Sequence, residues 1–153
     1  MKVMLVNSLY YPDIIGGAEK STQIIAENLK KSGIDTVFMV TPNTDLERMK
    51  LITSNISGFV YTVSVLGVTG SRDSLSGSVE NLVKKLKSIT NEPVCVGFGI
   101  SKPEHAAAVA KAGADGVIIG SKIVQIIEVN LSNKSKMLSE LSEFIKQVKN
   151  SIA

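Results

Sequence analysis

An α/β fold built around five parallel strands is what this sequence predicts, and three observations predict it. Short apolar runs rich in β-branched residues alternate with longer amphipathic runs, which is the pattern of consecutive βα units. The apolar runs are nearly continuous rather than alternating, as expected of strands covered on both faces. No Pro-, Gly- or Ser-rich linker and no tandem repeat divides the chain, so its 153 residues, 44% of them hydrophobic, read as one domain with core enough to need no disulfide or metal.

Each element has its own signals. The strands are expected at about Val3 to Asn7, Thr36 to Thr41, Gly58 to Ser64, Val94 to Phe98 and Gly116 to Ile119. The first helix, about Ala18 to Ser32, brings Ser21, Ile24, Ile25 and Leu29 to helical spacing, with Gly33 as its stop. The second runs from about Thr44 to Ser54, with Asp45 and Glu47 in the first turn, where they offset the helix dipole. The third, near Ser78 to Thr90, carries Leu82, Val83, Leu86 and Ile89 on one face. The fourth, Pro103 to Ala112, follows Ser101 as N-cap, has Pro103 and Glu104 in its first turn, and ends at Gly113. A short apolar helix, Ser121 to Ile127, and a polar stretch, Asn130 to Lys136, lead into a last helix from about Lys136 to Ser151. That helix should bury Leu138, Leu141, Ile145 and Val148.

Composition narrows the function classes. A net charge of +3 on 20% charged residues, with lysines scattered along helical faces, implies neither a nucleic-acid nor a membrane surface. The single cysteine, Cys95, sits in the strand run Val94-Cys95-Val96 and can build no disulfide framework, which suits a reducing compartment. The opening residues are too short for a signal h-region, and no apolar stretch nears the ~20 residues that span a bilayer. A soluble cytoplasmic protein is expected. No cofactor is implied. His105, the lone histidine, reads as a surface residue without partners for a metal site. Ser64, Thr69 and Ser101 have no histidine placed to activate them.

Parallel α/β sheets gather their functional loops at the carboxyl ends of the strands. Three of those loops are marked by glycine: Gly67-Val68-Thr69-Gly70 after the third strand, Gly97-Phe98-Gly99-Ile100-Ser101 after the fourth, and Gly120-Ser121 opening a helix after the fifth. Glycine lets backbone N–H groups approach an anion, and a helix N-terminus adds partial positive charge, so together they form a candidate phosphate nest.

In order, these loops resemble the tryptophan synthase alpha subunit, a (βα)8 barrel that cleaves indole glycerol phosphate. The likeness runs through Thr41-Pro42-Asn43-Thr44, Gly58-Phe59-Val60-Tyr61, Ser64 to Gly70, Val96 to Ser101 and Ala112 to Val117, then Gly120 to Val124, and covers residues 34 to 153 as a half-barrel. It implies phosphate or sulfate held by Gly70, Gly99, Gly120 and Ser121, with Tyr61, Phe98, Thr69 and Ile100 lining the pocket. It also implies that the family's general acid and base, a glutamate and an aspartate on the second and third barrel strands, have no counterpart here. Asp13 and Glu19 read as solvated or capping residues, since nothing pairs them with divergent pKa values.

Residues 1 to 33 resemble something else. Tyr10-Tyr11-Pro12-Asp13 with Gly16-Gly17-Ala18-Glu19 is similar to the first βα unit of glycosyltransferases built from two Rossmann-like domains. Gly16 and Gly17 are expected chiefly to allow a tight strand-to-helix passage with φ > 0, and Gly17 could add an N–H to the nest. The two likenesses together give an engineered chimera. Five strands is the count of a flavodoxin-like sheet, so the expected product is a three-layer αβα sandwich of Rossmann-like order 2-1-3-4-5; the alternative is a half-barrel pairing as a dimer through its sheet edges. A monomeric scaffold without catalytic residues, holding at most phosphate, is the expected function, against residual phosphosugar-binding or lyase activity.

Overall fold

The computed structural model describes residues 16–63, 72–97 and 99–152, without the side chains of residues 18, 19 and 72–78. The elements are α1 (Gly17–Lys31), β1 (Phe38–Val40), α2 (Leu46–Asn55), β2 (Val60–Val63), α3 (Arg72–Lys87), β3 (Val94–Gly97), α4 (Pro103–Lys111), β4 (Gly116–Ile118), α5 (Ser121–Val129) and α6 (Lys134–Ser151). The described strands form one parallel sheet in the order β1-β2-β3-β4. Phe38 pairs with Val60, Val60 with Val94, and Cys95 with Gly116.

This order corrects the flavodoxin-like expectation. Because β1 and β2 pair directly, no strand stands between them, as the order 2-1-3-4-5 would require. The strand expected at Val3 to Asn7 lies outside the described residues. Strand count alone does not fix strand order. Here each unit returns beside the one before it, and successive right-handed crossovers then keep the helices on one face, as in the wall of a barrel.

The core shows which face that is. Val40, Val60, Val94 and Val96 form one buried cluster with Met49 of α2, Leu82, Val83 and Leu86 of α3, Ala106 and Val109 of α4, Ile126 of α5 and Phe144 and Val148 of α6. Thr62 is buried on the same face and donates its hydroxyl to the Val40 carbonyl across the strands at 3.1 Å, which satisfies it. The residues between them point the other way: Met39 is 56% exposed, and Tyr61 and Cys95 are half-buried.

Local chemistry moved several boundaries. Helix α2 starts at Leu46 rather than Thr44 because the Asp45 carboxylate takes the N-cap position and accepts from the Arg48 N–H at 2.8 Å. Helix α3 begins at Arg72, earlier than Ser78. Helix α4 has Lys102, not Ser101, as N-cap, without a side-chain cap bond. Gly33 and Gly113 do end their helices: Ile34 N–H reaches Leu29 O at 3.0 Å and Ala114 N–H reaches Val109 O at 3.4 Å, closing the last turn in both.

Two predicted stripes are corrected. Ile24 and Ile25 of α1 are exposed, and Ala26 is the buried residue beside them. On α6 the buried positions are Phe144 and Val148 with Leu141 partly covered, a spacing of three and four, whereas Leu138 and Ile145 turn outward. The polar stretch after α5 holds a buried residue, Asn130, whose Nδ2 donates to Ile126 O at 2.9 Å and to Glu140 Oε2 at 2.8 Å, joining α5 to α6. None of the described helices is long and apolar enough to cross a membrane.

Candidate functional site

The register of the strands decides where the loops leave. Val63 pairs with Gly97, and Gly97 with Ile118, so β2, β3 and β4 end level with one another. The segment after β3 and the Gly120–Ser121 step after β4 therefore emerge side by side. Gly70, Thr69 and Phe98 lie outside the described residues.

Gly99 has φ 76°, the left-handed region, where a residue with Cβ is strained. It is exposed, and the next residue, Ile100, is buried and packs with the core cluster. The bend thus turns an open glycine and a buried isoleucine in opposite directions. At the neighbouring loop, Gly120 is the N-cap of α5, with no side-chain cap bond, and nothing lies within 4 Å of where its Cβ would stand. Its carbonyl accepts from Ile123 N–H at 2.9 Å and Val124 N–H at 3.1 Å. The N–H groups of Ser121 and Lys122 precede those bonds and have no intrahelical acceptor, which is the ordinary condition of a helix start that faces an anion. Ser121 is exposed.

Tyr61 is half-buried on the sheet face away from the helices, and its ring crosses Gly97: a Cβ there would stand 2.7 Å from the phenolic oxygen. Gly97 is what lets that ring lie against β3. On the same face, burial, and after it the charge of Asp115, push the Cys95 thiol up from its ordinary value, so it is less readily a thiolate.

Gly17 is the first residue of α1 and has no left-handed backbone, so tight passage through φ > 0 is not its role. His105 keeps part of its ring at the surface but makes contacts that a lone histidine in the sequence did not suggest. It is half-buried in the first turn of α4, and its Nδ1 lies 3.2 Å from Gly99 O and 3.4 Å from Ser101 N. The sequence signal was its position three residues after the helix N-cap, where a side chain can reach back to the preceding loop. A shallow depression lined by Ala110, Ala114, Gly116 and Ile152 lies at the amino end of β4, away from the glycine loops, and we give it no part in the site. No group of three or more His, Cys, Asp or Glu able to hold a metal occurs among the described residues.

Parallel βα units in sequential order, with glycine loops gathered at the carboxyl ends, define a protein of the (βα)-barrel class. Within that class the chain belongs to the tryptophan synthase alpha chain family, whose profile matches residues 1–153. The tryptophan synthase alpha chain of Prochlorococcus marinus is 43% identical over 145 residues, 94% of this chain and 50% of that protein. That of Arabidopsis thaliana is 42% identical over 147 residues, 96% of this chain and 52% of that protein. Among solved structures, the tryptophan synthase α2β2 complex of Pyrococcus furiosus contains a chain that superposes with a TM-score of 0.71 at 36% identity, covering 84% of this chain and 51% of that one. The chain spans about half the length of the curated relatives it matches.

Three expectations fall with these findings. The family match runs through residues 1–33, so the glycosyltransferase likeness and the engineered chimera are not supported. The reading of a scaffold without enzymatic function is overturned, because the relatives are tryptophan synthase alpha chains, subunits of an enzyme. The reason for that error is plain: a carboxylate pair missing from a chain half as long as its relatives says nothing against their activity.

Proposed function

We propose that the chain serves tryptophan synthase alpha-type chemistry, and that its part is to hold the phosphate of indole glycerol phosphate. In this reading the backbone N–H groups of Gly99, Gly120 and Ser121, with Gly70 from the loop after β2, surround the phosphate. The Ser121 hydroxyl adds a donor, while Tyr61, Phe98 and Thr69 wall the organic part of the substrate; Ile100, expected beside them, is instead buried in the core under the helices and takes no part. The observation that carries it is the level ending of β3 and β4, which brings a left-handed Gly99 beside an uncapped helix start at Gly120–Ser121. Two such features on adjacent strands supply N–H donors and a helix dipole from one end of the sheet. The Pyrococcus furiosus relative is part of an α2β2 complex, and by family likeness a beta-type subunit is the protein partner we assign.

Titration of the chain with inorganic phosphate, followed by amide NMR shifts, tests this. Saturable shifts at Gly99, Gly120 and Ser121 that disappear in Gly99→Val are expected. Shifts that stay absent, or that spread evenly over the surface, would sink the reading.

A further inference from the structure

Helix α4 begins without the usual device. Its N-cap, Lys102, makes no side-chain cap bond, and Pro103 at the first helical position has no N–H to satisfy. What closes this end is His105, the third helical residue. Its backbone N–H donates to Lys102 O at 3.1 Å, and its ring reaches back over the entry, where Nδ1 meets Ser101 N at 3.4 Å and Gly99 O at 3.2 Å. In a capping box the third-position side chain accepts the N–H of the N-cap; here it reaches one residue further, to Ser101. A single ring atom thus touches both ends of the three-residue bend Gly99–Ile100–Ser101.

The two contacts need opposite protonation of that atom. Unprotonated, Nδ1 accepts the Ser101 N–H; protonated, it donates to the Gly99 carbonyl. Either way the bend is tied to α4, whose own place is fixed by buried Ala106 and Val109 and by the Ser151 hydroxyl on the Pro103 carbonyl at 3.0 Å. Gly99, with φ 76°, has the freest backbone of the three residues and the most to gain from a fixed partner.

We propose that His105 is a positioning residue of the anion site: through Nδ1 it holds the Gly99–Ser101 bend in the shape that presents its backbone to phosphate. The proposal rests on the phosphate reading above and names what keeps one of its loops in place. A bend that is ordered before binding costs the ligand less, so loss of the ring should weaken binding without removing any atom that touches phosphate.

The test uses the full chain as wild type, His105→Ala and His105→Asn. Alanine is the best helix former, so a defect in His105→Ala comes from the lost ring contacts at the start of α4 and not from intrinsic propensity. Asparagine puts an oxygen or nitrogen where Nδ1 stands. Inorganic phosphate should bind His105→Ala about three- to tenfold more weakly than wild type, the worth of one hydrogen bond, and His105→Asn should recover most of that affinity. In the free protein the Ser101 amide should exchange with solvent faster in His105→Ala by a similar factor and slow again in His105→Asn. Wild type and His105→Ala binding phosphate equally, or Ser101 exchange that ignores the substitution, would overturn the role of His105 while leaving the phosphate reading intact. Failure of wild type itself to bind would instead overturn the phosphate reading, and this role with it.

Discussion

The two faces of one sheet are composed alike and fare differently. Val40, Val60, Val94 and Val96 are wholly buried under the helices, whereas Met39, Tyr61 and Cys95, one residue out of phase, are half-buried or exposed. An apolar residue in a strand says that something ought to cover it, not what does. The covered face stabilises the fold and fixes the level strand ends. The other face carries Tyr61 and Gly97, next to the Gly99 bend, and is left partly open by the described residues.

The comparison breaks most visibly at the helix-covered side. Leu86 of α3 is fully buried in the core cluster, and Leu86→Ala should cost about 3 kcal/mol, the lost transfer energy plus the cavity left behind. Met39→Ala, on the other face, should cost less than about 1 kcal/mol, because little of that side chain leaves water on folding. Urea unfolding of both variants reads the difference, and equal losses would mean the second face is as well packed as the first. A smaller effect belongs to Gly97. Gly97→Ala drives a methyl group into the Tyr61 ring and should cost about 1–3 kcal/mol, as overpacking does. Tyr61→Ala in the same chain should return most of that loss. A double variant no more stable than Gly97→Ala alone would place the strain in the backbone rather than between the two side chains.

Much of this was legible beforehand, and the exceptions share a cause. Strands β1 to β4, the stops at Gly33 and Gly113 and the apolar face of α3 follow from periodicity and helix-ending chemistry, which are local. The order of the strands is not local: Val3 to Val6 are apolar enough for a central strand, yet the direct pairing of Phe38 with Val60 leaves no room for one between β1 and β2. The site divides in the same way. The glycine loop before α4 and the helix start at Gly120 could be read from glycine and its neighbours, but the left-handed backbone expected at Gly17 stands at Gly99 instead. His105 could not be assigned to the bend, because a lone histidine carries no signal until the helix N-cap three residues earlier is known. The expectation of a chimera rests on the glycosyltransferase likeness of residues 1 to 33, and that of an inactive scaffold on reading a missing carboxylate pair as lost function; the family match over residues 1–153 overturns both.

The smallest effect separates the two ends of the sheet rather than its faces. At the amino end, opposite the glycine loops, Asp115 accepts from Lys87 of α3 and from the Val94 N–H at 2.7 Å, while its own N–H donates to Val94 O at 2.9 Å, so it ties β3, β4 and α3 together. The Lys87 hydrogen bond first, and then the Val94 N–H, hold its carboxyl below the usual aspartate range. A carboxyl whose pKa is lowered on folding stabilises the protein above its unfolded value, about 3.9, and that contribution is lost as pH falls from there through the lowered folded value. The side chain is 40% exposed, so water screens the pair and Asp115→Asn should cost less than about 1 kcal/mol at pH 7. Unfolding midpoints of wild type and Asp115→Asn should draw together as pH falls from 7 to below the unfolded aspartate value, about 3.9, while phosphate affinity at pH 7 stays unchanged. A gap that stays constant over that range would mean the substitution disturbs packing at the start of β3. An altered phosphate affinity would show that the amino end of the sheet also sets the shape of the glycine loops, and the separation of fold-holding from ligand-holding residues would then fail.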